Sequence, residues 1–256
     1  MALLSLQKVT KTFGGLVAVS DVSCEVSSDS VVGLIGPNGA GKTTVFNLIT
    51  GSIRLTEGDI FFDGKSLKGL RPSRIVSLGI ARTFQSIRLF QGLSVLDNVL
   101  SGCHCRMRSG LFSSLLHLPG QRREEKAVLE RAMIELEFVG LAHLFRSAAG
   151  SLPYGDQRKL EIARALATDP RFLILDEPAG GMNEQETMTL REIMKAIRKR
   201  NITVMLIEHD MSFVMHVCDH LLVMENGQLI AQGAPQEIQK NPKVIEAYLG
   251  LEDDDE

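Results

Sequence analysis

Three short apolar runs, at residues 31–35, 172–175 and 203–207, show no alternation of polar and apolar positions. Runs of this length are typical of strands buried on both faces, in a parallel sheet that helices cover. Each run leads into a polar segment, and ligands bind beyond the carboxyl ends of parallel strands. The pattern therefore predicts an α/β fold, a mostly parallel sheet flanked by helices, with a site along one edge of the sheet.

Helical periodicity follows in two segments. An apolar stripe runs along residues 184–200, and Asn183 and Glu186 have the spacing of a capping box at its start. A second stripe runs along residues 157–168, shortly before Pro170. Both segments are predicted to be helices that cover the sheet.

Other segments depart from this α/β pattern. Residues 59–64 indicate a short strand and turn, and residues 220–233 indicate a hairpin that folds at Asn226-Gly227, a type I′ turn signal. We therefore predict small antiparallel additions to the core. Residues 87–150 lack strong strand signals and include a charged, helix-forming stretch. We interpret this region as a helical subdomain inserted into the core.

Composition narrows the class of protein. The chain has 28 Lys and Arg against 31 Asp and Glu, so no basic surplus indicates a nucleic-acid partner. No apolar run is long enough to span a bilayer, and the first residues lack the apolar core of a signal peptide. We expect a cytoplasmic protein that only a partner would hold at a membrane. Residues 251–256 form an acidic block that we predict to be a disordered tail.

The cysteines do not suggest a metal site. Cys103-His104-Cys105 is a compact cluster, but two cysteines one residue apart are poorly spaced for zinc and no second pair follows. With Cys24 and Cys218 far away in the sequence, reduced and unligated thiols are the better interpretation, as in a cytosolic protein.

The first candidate site is a glycine-rich loop directly after the 31–35 run. It matches the phosphate-binding pattern G-x-x-x-x-G-K-[ST], between a predicted strand and an apolar helix. Its residues are Gly36, Pro37, Asn38, Gly39, Ala40, Gly41, Lys42, Thr43 and Thr44. Backbone N–H groups of such a loop, at a helix N-terminus, bind the phosphates of a nucleotide. Lys42 is expected to reach the β- and γ-phosphates, and the Thr43 hydroxyl is expected to hold Mg²⁺.

Two carboxylates follow the second apolar run. Asp176 is placed to bind Mg²⁺ through its hydration shell, and Glu177 is placed to polarise an attacking water as a general base. An acidic pair at a strand end is weak support alone, because strand ends often carry solvated charges. Together with the phosphate loop, the functional interpretation is favoured, in which the two carboxylates serve Mg²⁺ and an attacking water at a bound nucleotide.

Residues 152–158 indicate which family of nucleotide-hydrolysing enzymes this chain resembles. They are similar to the signature motif of ABC transporter ATPases, usually Leu-Ser-Gly-Gly-Gln. Leu152 and Gly155 match this form. Pro153 replaces the serine whose hydroxyl reaches the γ-phosphate, and Asp156 replaces the glutamine. The resemblance implies that Leu152, Tyr154, Gly155 and Asp156 complete a nucleotide site.

The resemblance covers nearly the whole chain and implies roles for further residues. Phe13 is similar to the aromatic residue that stacks on adenine. Gln85 resembles the glutamine that contacts Mg²⁺ and senses the membrane partner, and His209 resembles a switch histidine near the γ-phosphate. A lone Phe or His is more often structural, so these roles rest on the resemblance. Residues 179–183 resemble the loop that crosses the dimer interface.

The resemblance also implies an assembly. Two ATPase subunits, identical or different, would close around two ATP molecules, each between one phosphate loop and the other subunit's signature motif. The opening and closing of the two ATPase subunits would be passed to two integral membrane permease subunits. A periplasmic binding protein would take part indirectly. The chain would lie peripherally at the cytoplasmic face of the inner membrane. Its ATP-binding core would comprise residues 1–86 and 151–250, and its helical subdomain residues 87–150.

Several segments resemble one subfamily, the longer ATPase of branched-chain amino acid uptake systems. These segments are residues 13–16, 206–211 and 244–250, Tyr154 and the 103–125 insert. An importer of urea or short amides is an alternative. A soluble ABC-type ATPase of DNA repair or translation is another, although no coiled-coil insertion or second cassette supports it. A third alternative is a regulatory subunit that binds ATP without cleaving it. The intact set of Lys42, Asp176, Glu177 and His209 argues against it, whereas Pro153 and Asp156 leave it open for the site that this chain's signature completes.

Overall fold

The computed structural model describes residues 2–103 and 119–249. The strands are β1 (Ala2–Phe13), β2 (Leu16–Ser27), β3 (Val31–Ile35), β4 (Glu57–Phe62), β5 (Lys65–Ser66), β6 (Ile80–Arg82), β7 (Phe172–Asp176), β8 (Thr203–Ile207), β9 (His220–Glu225) and β10 (Gln228–Gly233). The helices are α1 (Lys42–Ile49), α2 (Pro72–Leu78), α3 (Val95–Cys103), α4 (Pro119–Phe138), α5 (Tyr154–Leu166), α6 (Glu184–Lys199), α7 (Met211–Val217), α8 (Pro235–Ile238) and α9 (Pro242–Leu249). Short 3₁₀ turns lie at Ala142–Leu144 and Ala149–Ser151.

The three apolar runs are neighbouring strands of a six-stranded sheet with the order β10-β9-β3-β8-β7-β6. Strands β9, β3, β8, β7 and β6 run parallel to one another, and only β10 is antiparallel to its neighbour. Every residue of β3, β7 and β8 is buried, which explains why these strands lack polar alternation. The predicted α/β fold is confirmed, and the carboxyl ends of the parallel strands meet along one edge.

The sheet separates two apolar clusters. Alternate residues of a central strand belong to opposite clusters: Leu173 and Leu175 lie in one, and Phe172 and Ile174 lie in the other. Residues of α3, α4, α5 and α6 contribute to the first cluster, whereas α1 and the strands β1, β2 and β4 contribute to the second. The edge with the carboxyl ends of β3, β7 and β8 is thereby supported from both faces.

The antiparallel additions are partly those that the sequence predicts. Strands β2, β1, β4 and β5 form a second sheet in that order. The sequence pattern predicts β4 but not β1 and β2, whose pairing contains several register irregularities that interrupt a simple alternation. The β9–β10 hairpin turns at Asn226 and Gly227 with φ of 47° and 79°, so the type I′ turn is confirmed.

Helix α6 begins with the predicted capping box. The Asn183 side chain accepts a hydrogen bond from the Glu186 N–H at 3.0 Å, and the Glu186 carboxylate accepts one from the Asn183 N–H at 2.9 Å. Helix α5 begins at Tyr154, three residues before the predicted start at 157. Pro153 is its N-cap residue, with an extended backbone, so the chain enters the helix directly after the proline.

The described residues between 87 and 150 form α3, α4 and the two 3₁₀ turns, joined by irregular segments. Helices α3 and α4 pack against α5, which the sequence assigns to the core, so the boundary at residue 150 stays a prediction. His104, Cys105, most of the 103–125 insert and the acidic tail lie outside the described residues. Within 2–103 and 119–249, no helix has the length and apolarity that crossing a bilayer requires.

Candidate nucleotide site

The loop between β3 and α1 has a backbone path that two glycines make possible. Gly36 has φ of 143°, and a Cβ atom there would lie 2.0 Å from the Met224 carbonyl oxygen. Gly41 has φ of 96°, and a Cβ atom there would lie 2.5 Å from the Ala18 carbonyl oxygen. Both positions therefore exclude other residues. At Gly39 a Cβ atom would meet no heavy atom within 4 Å, so this turn of the loop faces open space.

Lys42 places its charge inside this loop. It is the first residue of α1, and its ammonium group donates hydrogen bonds to the carbonyl oxygens of Gly36 at 2.6 Å and Pro37 at 2.7 Å. Burial lowers the pKa of Lys42, and the carboxylates of Glu177 and Asp176 act in the opposite direction. A cation held within a curved backbone at a helix N-terminus fits the phosphates of a nucleotide.

Asp176 ends β7 in a buried ion pair that the sequence analysis misses. The Arg82 guanidinium lies 2.8 Å from the Asp176 carboxylate, and the two side chains are 6% and 4% exposed. Arg82 also donates to the Asn47 side chain of α1 at 2.7 Å. Arg82 thus joins the phosphate-loop helix to the acidic strand end. No local motif marks Arg82, because its partners are distant in the sequence.

The three predicted catalytic residues lie together beside β7 and β8. Glu177 has φ of 48°, which is uncommon for a residue with a side chain and is typical of functional sites. Its carboxylate accepts a hydrogen bond from the Gln85 amide at 3.0 Å. His209 Nδ1 lies 4.0 Å from the same carboxylate oxygen, and the His209 side chain is 71% exposed.

Glu208 is a second residue of the site to which the sequence pattern assigns no role. Its side chain is 1% exposed and accepts hydrogen bonds from the N–H groups of Ala179 at 2.7 Å and His209 at 3.2 Å. Burial raises the pKa of Glu208, and these hydrogen bonds act in the opposite direction. The carboxylate therefore connects the 179–183 loop with the end of β8. The signal in the sequence is an acid directly after a buried strand.

The three residues that are predicted to hold Mg²⁺ all carry oxygen donors suited to this ion. Thr43 at the start of α1 and Gln85 after β6 are both exposed, and Asp176 supplies a carboxylate at the strand end. Hydroxyl, amide and carboxylate oxygens are the ligand types that Mg²⁺ prefers. The donor set thus fits this ion.

Phe13, at the end of β1, is 47% exposed, and the Lys11 ammonium lies 4.7 Å from its ring centroid. Leu16 and Val17 beside it are 68% and 49% exposed. An exposed aromatic ring with apolar neighbours is compatible with stacking on a base.

The signature residues face the 179–183 loop and α6 of their own chain. A Cβ atom on Gly155 would lie 2.3 Å from the Glu186 carboxylate, and one on Gly181 would lie 3.1 Å from the Tyr154 ring. The Asp156 carboxylate pairs with Lys159 at 2.5 Å. Lys159 therefore offsets the charge that Asp156 brings to this motif.

A phosphate loop, a strand-end acidic pair and a histidine just after the neighbouring strand define the class: a P-loop nucleotide-binding cassette. The family model described as "ABC transporter" matches residues 19–180. A second model, described as "Branched-chain amino acid ATP-binding cassette transporter", matches residues 228–254. The chain belongs to the ABC transporter ATPase family.

Curated relatives are similar to this chain over nearly its full length. The high-affinity branched-chain amino acid transport ATP-binding protein LivG of Salmonella typhimurium is 47% identical, covering 97% of this chain and 98% of the relative. LivG of Escherichia coli K12 is 46% identical with the same coverage. BraF of Pseudomonas aeruginosa, which carries the same description, is 45% identical, again over 97% and 98%.

Solved structures show the same fold. An ATP-binding cassette of an ABC transporter in its ADP conformation has a TM-score of 0.85 and 35% identity, covering 98% of this chain and 99% of its own. A nucleotide-free cassette has a TM-score of 0.83 and 34% identity, covering 97% and 99%. The predicted family, fold class and ATPase activity are confirmed. The roles of individual residues remain predictions.

Proposed function

We propose that this chain hydrolyses ATP to energise an importer of branched-chain or related hydrophobic amino acids. The observation that carries this proposal is the Glu177 carboxylate, which lies between Gln85 and His209 where the strands end. The substrate class follows that of relatives with 45–47% identity over nearly the full chain, which are high-affinity branched-chain amino acid transport ATP-binding proteins. The matched C-terminal family model, over residues 228–254, supports the same class.

In this proposal, each residue has a defined task at the phosphates. The loop of residues 36–44 binds the phosphates through its N–H groups, and Lys42 turns from the loop carbonyls towards them. Glu177 orients a water molecule and accepts its proton, while His209 donates a hydrogen bond near the γ-phosphate. Gln85, held by Glu177, positions the same water. Phe13 stacks on the base.

Mg²⁺ is the metal that we propose for this site. When bound with the nucleotide, it would neutralise negative charge on the phosphate oxygens. Thr43, Gln85 and Asp176 would hold it. Asp176 would then exchange part of its contact with Arg82 for the hydration shell of the ion.

The proposed assembly pairs this chain with a second ATPase subunit, identical or different. The signature residues Leu152, Tyr154, Gly155 and Asp156 would complete the nucleotide site of that partner. The helix N-terminus of α5 leaves backbone N–H groups that suit an anion. In such a pair of subunits, the 179–183 loop would lie at the interface, since Gly181 is close to the Tyr154 ring.

We further propose that the chain works peripherally at the cytoplasmic face of the inner membrane, with two permease subunits and indirectly with a periplasmic binding protein. Two large apolar side chains follow Gln85 closely and are exposed: Phe90 is 54% and Leu93 is 44% exposed. Exposed apolar side chains close to a site that senses nucleotide suit contact with a membrane subunit.

The test of the catalytic assignment is Glu177→Gln. The variant should bind ATP with unchanged affinity and lose turnover by roughly 10²–10⁴-fold, because a general base contributes about this factor. Glu192→Gln is the matched control, since Glu192 is 71% exposed on α6 and should leave turnover unchanged. Steady-state hydrolysis and calorimetric binding of both variants decide the case. Turnover above a tenth of the wild type would refute the assignment.

The test of the substrate class uses the chain reconstituted with its two membrane subunits. Leucine, isoleucine and valine should each stimulate hydrolysis in the presence of their binding protein, whereas urea and short amides should not. Stimulation by urea alone would assign the chain to the alternative importer class.

A further inference from the structure

Helix α5 contacts the Gln85 segment through a buried arginine. The Arg158 side chain is 4% exposed, and its guanidinium donates to the Phe84 carbonyl oxygen at 2.7 Å. Its other terminal nitrogen donates to the Gln85 carbonyl oxygen. Two consecutive backbone carbonyls are therefore held by one planar, charged donor, which lysine cannot match in geometry.

Two further side chains of α5 hold the other end of the same segment. The Glu161 carboxylate, 1% exposed, accepts the Arg88 N–H at 3.0 Å and pairs with Arg158 at 3.3 Å. Arg164 donates to the Arg88 carbonyl oxygen at 2.6 Å. Residues 84–88 thus depend on α5 at both ends. Arg158 and Glu161 also compensate each other's buried charge, and Arg164, 3.7 Å from the Glu161 carboxylate, is a second cation for Glu161.

The segment they hold leads to the catalytic carboxylate. The Gln85 side chain donates to Glu177 at 3.0 Å, so its backbone is bound to α5 while its side chain is bound to Glu177. Arg158 lies one helical turn after Tyr154, where the signature residues open the helix. The Arg158 guanidinium also lies 5.7 Å from the Tyr154 ring centroid, so a displacement of the signature motif would reach the Gln85 backbone through Arg158.

We propose that Arg158 is a positioning residue that couples the signature motif to the placement of Gln85 against Glu177 within one subunit. The signature motif would serve the nucleotide of the partner, whereas Gln85 and Glu177 serve the nucleotide of the same chain. Arg158 therefore connects the two half-sites that each subunit contributes. The inference rests on the proposed function, which assigns Gln85 and Glu177 to the reaction.

The first experiment measures the contact itself by amide hydrogen exchange in the nucleotide-free chain. In Arg158→Met, the amides of residues 84–88 should exchange about tenfold faster or more, the factor that corresponds to loss of 1.4 kcal/mol. Arg200→Met is the matched control, because Arg200 pairs with the buried carboxylate of Glu135 at 2.5 Å without contacting this segment. Unchanged exchange of residues 84–88 in Arg158→Met would overturn the proposal.

The second experiment asks whether Arg158 acts through Gln85. Arg158→Met should lower kcat about tenfold with little change in ATP affinity, and this loss should disappear in a Gln85→Ala background. The loss caused by Arg200→Met, if any, should be the same in both backgrounds. Additive effects of Arg158→Met and Gln85→Ala would show that Arg158 is only structural and would overturn the proposal.

Arg158→Lys provides the same readouts if the methionine variant does not fold. Lysine keeps the charge opposite Glu161 but holds only one of the two carbonyls, so it should give an intermediate exchange rate and the same non-additivity. A wild-type exchange rate in this variant would count against the proposal. Failure of the catalytic assignment is distinguishable, because it appears as retained turnover in Glu177→Gln.

Discussion

Replacing Arg82 with methionine tests whether the acidic end of β7 depends on a cation from the same chain. The Arg82 guanidinium lies 2.8 Å from Asp176, with both side chains almost fully buried. It also lies 5.6 Å and 5.0 Å from the ring centroids of Phe46 and Phe84. Methionine keeps apolar contact with these rings and removes the charge. We expect the nucleotide-free chain to lose stability, because Asp176 would be buried without a counter-charge.

The burial of the pair sets the size of the effect. Removing one partner of a buried ion pair costs about 3–5 kcal/mol. At about 2 °C per kcal/mol for a chain of this size, the thermal midpoint should fall by roughly 6–10 °C. Lys195→Met is the control, since the Lys195–Glu192 pair has the same 2.8 Å separation but is 60% and 71% exposed. Its loss should cost less than about 1 kcal/mol.

Urea unfolding followed by circular dichroism, without nucleotide, measures these differences. The double variant Arg82→Met with Asp176→Asn should regain part of the stability, because a neutral amide needs no counter-charge. A loss in Arg82→Met no greater than that in Lys195→Met would refute the reasoning from burial. Equal instability of the single and double variants would attribute the loss to the Arg82 contact with Asn47 instead.

Three further predictions concern nucleotide affinity, the signature motif and the buried thiols. Lys42→Ala should weaken ATP binding about tenfold to a hundredfold in calorimetry, since it removes a charge-assisted contact with the phosphates, and unchanged affinity would place the nucleotide elsewhere. The double variant Pro153→Ser, Asp156→Gln should hydrolyse ATP several-fold faster in the complex with the partner ATPase, because serine supplies the hydrogen-bond donor that proline lacks. A lower rate of hydrolysis would contradict this prediction. Burial raises the pKa values of Cys24 and Cys218 from 9.0 to about 12. The stability due to their protonated thiols should thus be fully present below pH 9 and be lost as the pH rises towards 12. In urea unfolding, the free energy of unfolding should therefore decline less steeply over this pH range in a Cys24→Ala, Cys218→Ala variant.

The central strands are predictable from the sequence because burial on both faces leaves a continuous apolar run, as in 31–35 and 203–207. The type I′ turn at Asn226-Gly227 is equally local, since its signal is two adjacent residues. Strand β6 is not predictable in this way. It has three residues, and its place in the sheet depends on pairing with β7, which lies more than eighty residues later.

The residues of the site likewise divide into those that a local motif predicts and those that only the tertiary fold brings together. The phosphate loop is contiguous, so the sequence predicts all of it. Arg82 and Asp176 are 94 positions apart, and their contact exists only because β6 and β7 are neighbours. Arg158 and Gln85 are 73 positions apart, and they meet because α5 packs over the loop that follows β6. A motif shows which residues react, whereas the tertiary fold decides which residues hold them.

The loop from β6 to α3 shows why such holding residues are needed. Residues 83–94 form no regular helix or strand, so their backbone groups lack the ladder of hydrogen bonds that would fix them. The loop is instead attached at its start by Arg82 to Asp176, at the carbonyls of Phe84 and Gln85 by Arg158, and at the Arg88 N–H by Glu161. Gln85 lies between these attachments, with one anchor on the proposed Mg²⁺ carboxylate and the other on the signature helix. In the proposed coupling, a change at either anchor would reach Gln85, and through its 3.0 Å hydrogen bond it would reach Glu177.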